Sequence, residues 1–276
     1  MENYDKNIDF FKHLEADFEK SEHDLWAGIQ EKTSSKKESK SFQLRWLKYA
    51  VAASVVILAA LTLFLRLYTT EIVVPKGQQL SYHLPDGSAV QLNAQSMISF
   101  QPYWWRLNRE VHLRGEAFFE VTKGEKFTVL SEEGTTSVLG TSFNIYARNN
   151  TYEVYCKTGK VKVASTKHDI KYQLTAGNLA IIDNKHLAGS KKNTNERDYI
   201  SWTQNKFSFT DTPLQSVFEE MERQYNIQID YNEEVAALKF GAYFVKPQQA
   251  DQALELVCMQ FQLNFEKTAT QQYKIY

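Results

Sequence analysis

The chain has 276 residues, of which 33 are Asp or Glu and 32 are Lys or Arg, so its formal net charge is −1. Hydrophobic residues make up 43% and charged residues 24%, which excludes an intrinsically disordered chain, and 11 Gly with five Pro exclude a collagen-like one. Near-neutral charge argues against direct binding of nucleic acid, because phosphate binding needs a surplus of Lys and Arg. At about 150 residues per domain, the length suggests two domains.

Residues 1–32 form an acidic segment with a periodic apolar stripe. Nine acidic residues against four lysines give a net charge of −5, and the apolar spacing is typical of one amphipathic helix or two short ones. Because the segment is too short for a stable core of its own, we predict that the stripe binds an apolar partner surface. A self-packed helical hairpin or a partly ordered tail is the alternative. The predicted partner-binding residues are Phe11, Leu14, Phe18, Leu25, Trp26 and Ile29.

A long apolar run predicts one transmembrane helix over residues 49–68. Residues 49–65 carry no charge, and a helix of about 20 residues spans the roughly 30 Å of a bilayer core. The run begins after 48 residues, so it is predicted to be an uncleaved anchor and not a signal peptide. A buried helix of a soluble protein is the alternative. The preceding linker, residues 33–48, has five positive charges and one negative, so the positive-inside rule predicts a cytoplasmic N-terminus and residues 69–276 across the membrane.

Residues 73–190 are predicted to form an all-β domain. Short segments with alternating polarity follow one another, separated by turn signals such as the Leu-Pro-Asp-Gly-Ser sequence at residues 84–88. The pattern contains no segment with helical periodicity. Gly140, Gly159 and Gly177 lie 19 and 18 residues apart, which suggests the stacked rungs of a roll or a solenoid.

Residues 198–276 are predicted to form a separate α+β domain with the order β-α-β-β-α-β-β. Asp211, Thr212 and Pro213 resemble a helix start, with a capping residue followed by Pro in the first turn. The segments at either side alternate with period two, whereas two stretches have the three-and-four spacing of amphipathic helices. About 80 residues are enough for a compact domain.

The sequence lacks the motifs of an enzyme, so we predict no catalytic, cofactor-binding or metal-binding residues. The histidines do not have metal-ligand spacing, and no phosphate-binding or nucleophile-elbow motif is present. Glu116 and Glu120 could suggest a carboxylate pair for glycoside hydrolysis. They lie four residues apart in a predicted strand, about 13 Å along the chain, so a solvated strand face is the preferred interpretation.

Two further residue pairs are candidates for special roles. Cys156 and Cys258 both lie beyond the predicted membrane helix, and we predict two buried free thiols in preference to a disulfide between the domains. Trp104 and Trp105 are adjacent, so they cannot both point into one core if they lie in a strand or loop. They are interpreted either as a partner contact or as a lid over the β domain.

Four blocks of sequence in the β region resemble the FecR domain, in the order in which that domain has them. They are LPDGSAVQLNA at residues 84–94, REVHLRGEAFFEV at 109–121, FTV at 127–129 and VLGTSFNI at 138–145. The tail from residue 207 resembles the domain that commonly follows FecR and is related to the secretin and TonB short N-terminal fold. Residues 207–209, 212–214 and 225–227 carry that second similarity.

The resemblance implies an anti-sigma factor in the bacterial inner membrane, with its N-terminus in the cytoplasm and its C-terminus in the periplasm. Such a protein relays a signal from the signalling domain of a TonB-dependent outer-membrane transporter to an extracytoplasmic-function (ECF) sigma factor and so controls transcription. Intramembrane and periplasmic proteases are further implied partners. The apolar stripe would then bind the sigma factor, while inhibition and activation both stay open.

A different class of function stays open beside this one. A membrane-anchored periplasmic structural or glycan-binding protein would use Trp104 and Trp105 against sugar rings. It would give the apolar stripe of residues 1–32 no role.

Overall fold

The structure is a computed structural model that describes residues 21–34, 41–183, 189–192 and 194–276. The predicted partner-binding residues Phe11, Leu14 and Phe18 lie outside the described residues. The chain separates into two compact units, Met1–Leu61 and Thr62–Tyr276, which are described one at a time.

Two helices occupy the N-terminal part. Helix α1 spans Glu22–Ser34 and begins after Ser21, whose side-chain Oγ accepts a hydrogen bond from the backbone N–H of Asp24 over 3.3 Å. Helix α2 spans Ser41–Leu67, so it begins inside the segment predicted as a basic linker. Its residues Trp46–Leu67 have a mean hydropathy of 2.3 and are exposed along their length. Among the described residues this is the one helix that is long and apolar enough to cross a membrane, and it coincides with the predicted span.

Residues 70–191 form the β domain, a single sheet of 13 strands. Most strands are four to seven residues long and alternate between buried and exposed side chains, as the sequence pattern predicts. The strands are β1 Thr70–Val74, β2 Leu80–His83, β3 Ala89–Leu92, β4 Ser96–Phe100, β5 Arg109–Glu120, β6 Phe127–Leu130, β7 Gly134–Val138, β8 Ser142–Arg148, β9 Thr151–Cys156, β10 Lys160–Ser165, β11 Lys171–Thr175, β12 Asn178–Asp183 and β13 Gly189–Lys191.

Strand β5 holds the sheet together because it has different neighbours along its two halves. Its first half pairs with β4 antiparallel and with β6 parallel, and its second half pairs antiparallel with β3 and β8. The long path through the sheet runs β11-β10-β7-β6-β5-β8-β9-β12-β13. The strands curl around an apolar core that includes Leu92, Ile98, Phe119, Phe127 and Phe143.

The stacked rungs of the predicted roll or solenoid are not found in this sheet. Stacked rungs of a solenoid pair in parallel, whereas the pairs in the described part of the sheet are antiparallel apart from β5 with β6. Gly140, Gly159 and Gly177 have φ angles of +149°, +75° and +79° and lie in the connections that precede β8, β10 and β12. Their spacing therefore reflects the length of the β8–β9 and β10–β11 hairpins, and the three glycines lie in the connections between hairpins, where the backbone has positive φ.

The C-terminal domain, residues 197–275, has the predicted order of strands and helices with additional short helices. Its elements are helix α3 Arg197–Ile200, a 3-10 turn Ser201–Gln204, β14 Lys206–Pro213, α4 Leu214–Tyr225, β15 Gln228–Asp230, α5 Glu233–Ala237, β16 Lys239–Val245, α6 Ala250–Met259, β17 Phe265–Ala269 and β18 Gln272–Ile275. Strand β14 pairs antiparallel with β16, while β18 pairs with β15 in parallel and with β17 antiparallel. The apolar faces of α4 and α6 form the core between them.

Two details of this domain differ from the sequence-based expectation. Strand β14 continues to Pro213, which is the N-cap residue of α4 and not a residue of its first turn, and no side chain caps the helix. The backbone N–H of Leu214 instead donates to the carbonyl of Leu238 over 2.8 Å. Helix α5, which the sequence pattern does not predict, begins where Asn232 Oδ1 accepts a hydrogen bond from the Val235 N–H over 2.9 Å.

Candidate functional site

Helix α1 presents an exposed apolar face. Trp26 and Ile29 follow Leu25 by one and four residues, so the three side chains lie on one side of the helix. Trp26 is 63% exposed, and the other two side chains are also exposed. These are the three described members of the predicted partner-binding set. Large apolar side chains in this arrangement are typical of a helix that lays one face into a groove of a partner.

The two adjacent tryptophans of the β domain divide between core and surface. Trp105 is 4% exposed and packs edge-on against Phe100 and Phe127, with ring centroids 5.5 and 5.9 Å away. Trp104 is half-buried on the outside of the same loop. The two side chains do not both point into the core, as their adjacency predicts, but a partner contact or a lid formed by both is corrected for Trp105, which belongs to the core.

A buried carboxylate on β5 is the centre of a polar network between the β domain and the C-terminal domain. Glu116 is 8% exposed, and its Oε1 and Oε2 accept hydrogen bonds from the side-chain amides of Asn144 and Asn93 over 2.9 and 2.8 Å. Burial, reinforced by the nearby charge of Glu220, raises the pKa of Glu116 to about 7. The two amide donors and Arg148 oppose that shift.

Both asparagines pass the network on to the C-terminal domain. Asn144 Oδ1 accepts from the indole N–H of Trp202 over 3.2 Å, and Asn93 Oδ1 accepts from Gln224 Nε2 over 2.6 Å. We call the five residues Glu116, Asn93, Asn144, Trp202 and Gln224 the junction network. Because each asparagine uses its amide nitrogen toward Glu116 and its oxygen toward the other domain, the orientation of both amide groups is fixed.

Glu220 and Arg223 of α4, together with Lys246 after β16, extend the junction network. Gln224 also bonds to Glu220 over 2.8 Å, and Lys246 Nζ donates to Gln224 Oε1 over 2.9 Å. Arg223 pairs with Glu220 over 2.8 Å. Burial lowers the pKa of Lys246. The junction therefore holds closely spaced opposite charges, an arrangement that fixes orientation better than it adds stability.

Arg148 closes the network on the side of the β domain. Its guanidinium donates to the carbonyls of Ala94 and Gln95 over 2.6 and 2.8 Å and to Ser96 Oγ over 3.1 Å. Burial lowers the pKa of Arg148. Its Nε is buried and has no hydrogen-bond partner among the described residues.

A groove of about 590 Å³ lies beside the junction network. The β domain contributes Tyr146, Glu153 and Tyr155, and the C-terminal domain contributes Tyr199 and Glu219. The rings of Tyr155 and Tyr199 stack at 5.1 Å, and burial raises the pKa of Glu153. Aromatic side chains such as these are enriched at protein interfaces, whereas acidic ones are not. The described residues contain no group of three His, Cys, Asp or Glu side chains that could hold a metal ion.

Sequence reasoning missed this site because it assigned Glu116 to a solvated strand face. Glu120 is exposed as predicted, but Glu116 is buried together with Phe118 on the same face of β5. The cover comes from α3 and the 3-10 turn, whose Ile200 and Trp202 pack over that face. A long-range contact of this kind leaves no signal in the local pattern of β5.

Cys156 and Cys258 are both buried and free, as predicted. Burial raises the pKa of each thiol to about 11. Both thiols are therefore protonated near neutral pH and react slowly.

Comparison with known proteins identifies both domains beyond the membrane helix. A family model described as FecR protein matches residues 70–162, and one described as FecR, C-terminal matches residues 206–275, together more than half of the chain. The chain has no match among curated proteins.

Solved structures resemble the same region. Two crystal structures of anti-sigma factor candidates from Parabacteroides distasonis ATCC 8503, at 2.50 and 1.65 Å resolution, superpose with TM-scores of 0.69 and 0.68. Both are 26% identical to the chain in sequence. They cover 76% and 75% of this chain and 99% and 98% of their own chains.

Proposed function

The chain belongs to the FecR family, and from that premise we propose that it is a single-span anti-sigma factor whose helix α1 binds an ECF sigma factor in the cytoplasm. The observation that carries the proposal is the exposed face formed by Leu25, Trp26 and Ile29. Covering these three large side chains with a partner surface would remove apolar area from water and so favour binding. The solved relatives named as anti-sigma factor candidates support the same function.

The proposed orientation follows from the charges beside α2. The segment before the apolar span is basic, with five positive residues and one negative in residues 33–48. Loops with an excess of Lys and Arg remain in the cytoplasm, so α1 would face the cytoplasm and the β and C-terminal domains the periplasm. Sigma factors act in the cytoplasm, where the exposed face of α1 would then meet them.

We further propose that the periplasmic part receives the signal from a TonB-dependent outer-membrane transporter. The groove between the β and C-terminal domains offers aromatic and acidic side chains from both domains to a transporter's signalling domain. A single helix transmits little rigid-body motion through lipid. Proteolysis of the anchor by intramembrane and periplasmic proteases, or a change in association state, is therefore the simplest way to release what α1 holds.

A pair of matched variants tests the cytoplasmic part of the proposal. Trp26→Glu adds a charge to the apolar face of α1, while Ala27→Glu adds the same charge to the neighbouring exposed position, about 100° around the helix. The full-length protein is co-expressed with the ECF sigma factors of the same bacterium, and co-purification from detergent-solubilised membranes is measured.

We expect a sigma factor to co-purify with the wild type and with Ala27→Glu, and its recovery to fall by roughly tenfold or more with Trp26→Glu, since a buried Trp is a common binding hot spot. If no sigma factor co-purifies with the wild type, or if both variants retain it equally, α1 does not bind through this face. A structural or glycan-binding protein, the alternative class, predicts the first of these results.

A further inference from the structure

The end of the membrane helix and the start of the β domain are almost adjacent in the chain. Helix α2 ends at Leu67 and β1 begins at Thr70, so two residues connect them. Residues 62–67, the last turns of the helix, belong to the same compact unit as the β domain. Two residues span less than about 10 Å even when extended, so part of the β domain lies at the level of the lipid headgroups if α2 spans the membrane.

The loop between β4 and β5 exposes large apolar side chains beside that helix end. Tyr103 is 61% exposed and Leu107 is 74% exposed, and Arg106 between them is exposed as well. The loop is nevertheless ordered by hydrogen bonds of its own. The backbone N–H of Leu107 donates to the carbonyl of Trp104 over 3.0 Å.

Two ring contacts join this loop to the residues at the end of α2. The Arg66 guanidinium lies over the Trp104 ring, 5.8 Å from its centroid. The rings of Tyr68 and Tyr103 have their centroids 5.3 Å apart. These contacts hold the loop against the C-terminal end of the apolar helix.

The loop is also fixed to the core of the β domain. Trp105, the neighbour of Trp104, packs in the core against Phe100 and Phe127. Because one side chain of the loop is buried and the adjacent ones are outside, the exposed residues are held in place at little cost in conformational entropy.

We propose that the loop 101–108 is a second membrane anchor, which inserts Tyr103, Trp104 and Leu107 into the interfacial region of the bilayer that α2 spans. Tyr and Trp prefer this region because their rings are apolar and their polar groups reach the headgroups. Leu107 adds apolar area, and Arg66 with Arg106 supplies positive charge for lipid phosphates. The loop would thereby fix the β domain at a defined angle to the membrane surface.

Fluorescent labelling at single introduced cysteines tests this proposal on the full-length protein. Leu107→Cys places a thiol at the tip of the loop. His168→Cys is the control, because His168 is exposed in the β10–β11 turn. That turn lies beyond the C-terminal end of β6, where Thr166 Oγ1 donates a hydrogen bond to the Glu132 carbonyl. The native Cys156 and Cys258 are buried and protonated, so they label slowly. Each variant carries the fluorophore NBD and is placed, one copy per disc, in nanodiscs of phosphatidylcholine and phosphatidylglycerol.

We expect NBD at position 107 to emit at shorter wavelength than NBD at position 168. Lipids with a nitroxide near the headgroup should quench the probe at 107 severalfold more strongly, and aqueous iodide should quench it less. Equal quenching of both probes by both agents would mean that the loop stays in water and would refute the proposal. Shielding of position 107 only in discs that hold two copies would also refute it, since the loop would then be an interface between copies.

Discussion

Gln224 of α4 and Asn93 of the β domain are hydrogen-bonded through buried side chains, with 2.6 Å between Gln224 Nε2 and Asn93 Oδ1. The two residues are 131 positions apart in the chain. Through Asn93 the contact reaches Glu116, and through Gln224 it reaches Glu220 and Lys246. Buried polar atoms therefore join the β and C-terminal domains, in addition to the apolar contact that Ile200 and Trp202 make with the face of β5.

Replacing Gln224 should loosen the two domains from each other. In Gln224→Ala, the Asn93 oxygen loses its shortest bond and buried polar atoms lose a partner, at a cost of about 1–3 kcal/mol. Gln215→Ala is the matched control, because Gln215 is exposed on the same helix and bonds only locally, to Glu219. We expect urea unfolding in detergent to separate into two transitions for Gln224→Ala and to stay as in the wild type for Gln215→Ala. Identical unfolding curves for both variants would show that Gln224 does not couple the two domains.

Glu116 should make stability depend on pH between about 4.5 and 7. Its pKa in the folded protein is raised from 4.5 to about 7, so the folded state binds the proton more tightly than the unfolded state. The free energy of unfolding should therefore fall as pH rises through this window, by up to about 3 kcal/mol, and this dependence should end above it.

The variant Glu116→Gln isolates this dependence because Gln does not titrate. Both carboxylate oxygens accept from amide donors, so the Gln amide would face a donor and add a cost that does not vary with pH. The difference obtained by subtracting the wild type's free energy of unfolding from the variant's should increase as pH rises from 4.5 to 7. Glu120→Gln, at an exposed position of the same strand, should show no such rise. A constant difference for Glu116→Gln would mean that the carboxylate is already ionised at low pH.

Gly115→Ala should be strongly destabilising. Gly115 has φ +105°, and an added Cβ would lie 2.5 Å from Ser96 Oγ and 2.7 Å from Ser96 Cα, so the backbone of β4 would have to move. Gly177→Ala separates this clash from the conformational cost alone, since Gly177 has φ +79° and nothing within 4 Å of the added Cβ. We expect about 1 kcal/mol for Gly177→Ala and at least about 3 kcal/mol for Gly115→Ala, measured as loss of unfolding free energy. Similar losses would show that the clash relaxes freely.

Tyr152 and Thr136 should be coupled energetically. Tyr152 is fully buried, and its hydroxyl lies 2.7 Å from Thr136 Oγ1. Tyr152→Phe should cost about 1–2 kcal/mol because the Thr136 hydroxyl is left without this partner, whereas removing both hydroxyls in Thr136→Val/Tyr152→Phe should cost less than the sum of the single changes. Thermal unfolding of the three variants measures the coupling. Strict additivity would indicate that the two hydroxyls do not interact in solution.

The sequence predicted most elements correctly because their signals are local. The apolar run of α2, the alternating strands of the β domain and the three-and-four spacing of α4 each depend on residues close together in the chain. The predicted helix start was wrong by about one residue, because β14 has a partner, β16, that extends the strand to Pro213. The Asp-Thr-Pro sequence alone does not show where the strand ends, because that position depends on pairing with β16.

The junction network could not be predicted in the same way. Glu116, Asn93 and Gln224 are ordinary polar residues in their local contexts, and only the packing of α3 and α4 over the sheet makes them buried partners. Likewise, the tandem sequence of Trp104 and Trp105 suggested one shared role. The sharp turn of the loop gives each side chain a different environment, one inside the core and one outside.

The short connection between α2 and β1 has a consequence for degradation of the anchor. Peptidases bind their substrates as extended, unpaired chain, and residues 70–74 are paired along their whole length with β4, from Thr70 opposite Phe100 to Val74 opposite Ser96. Only Tyr68 and Thr69 separate that ladder from the helix. If the anchor is cut close to the membrane surface, as proposed above, β1 has to separate from β4 first, and the rate of cutting would then follow how often this edge strand opens.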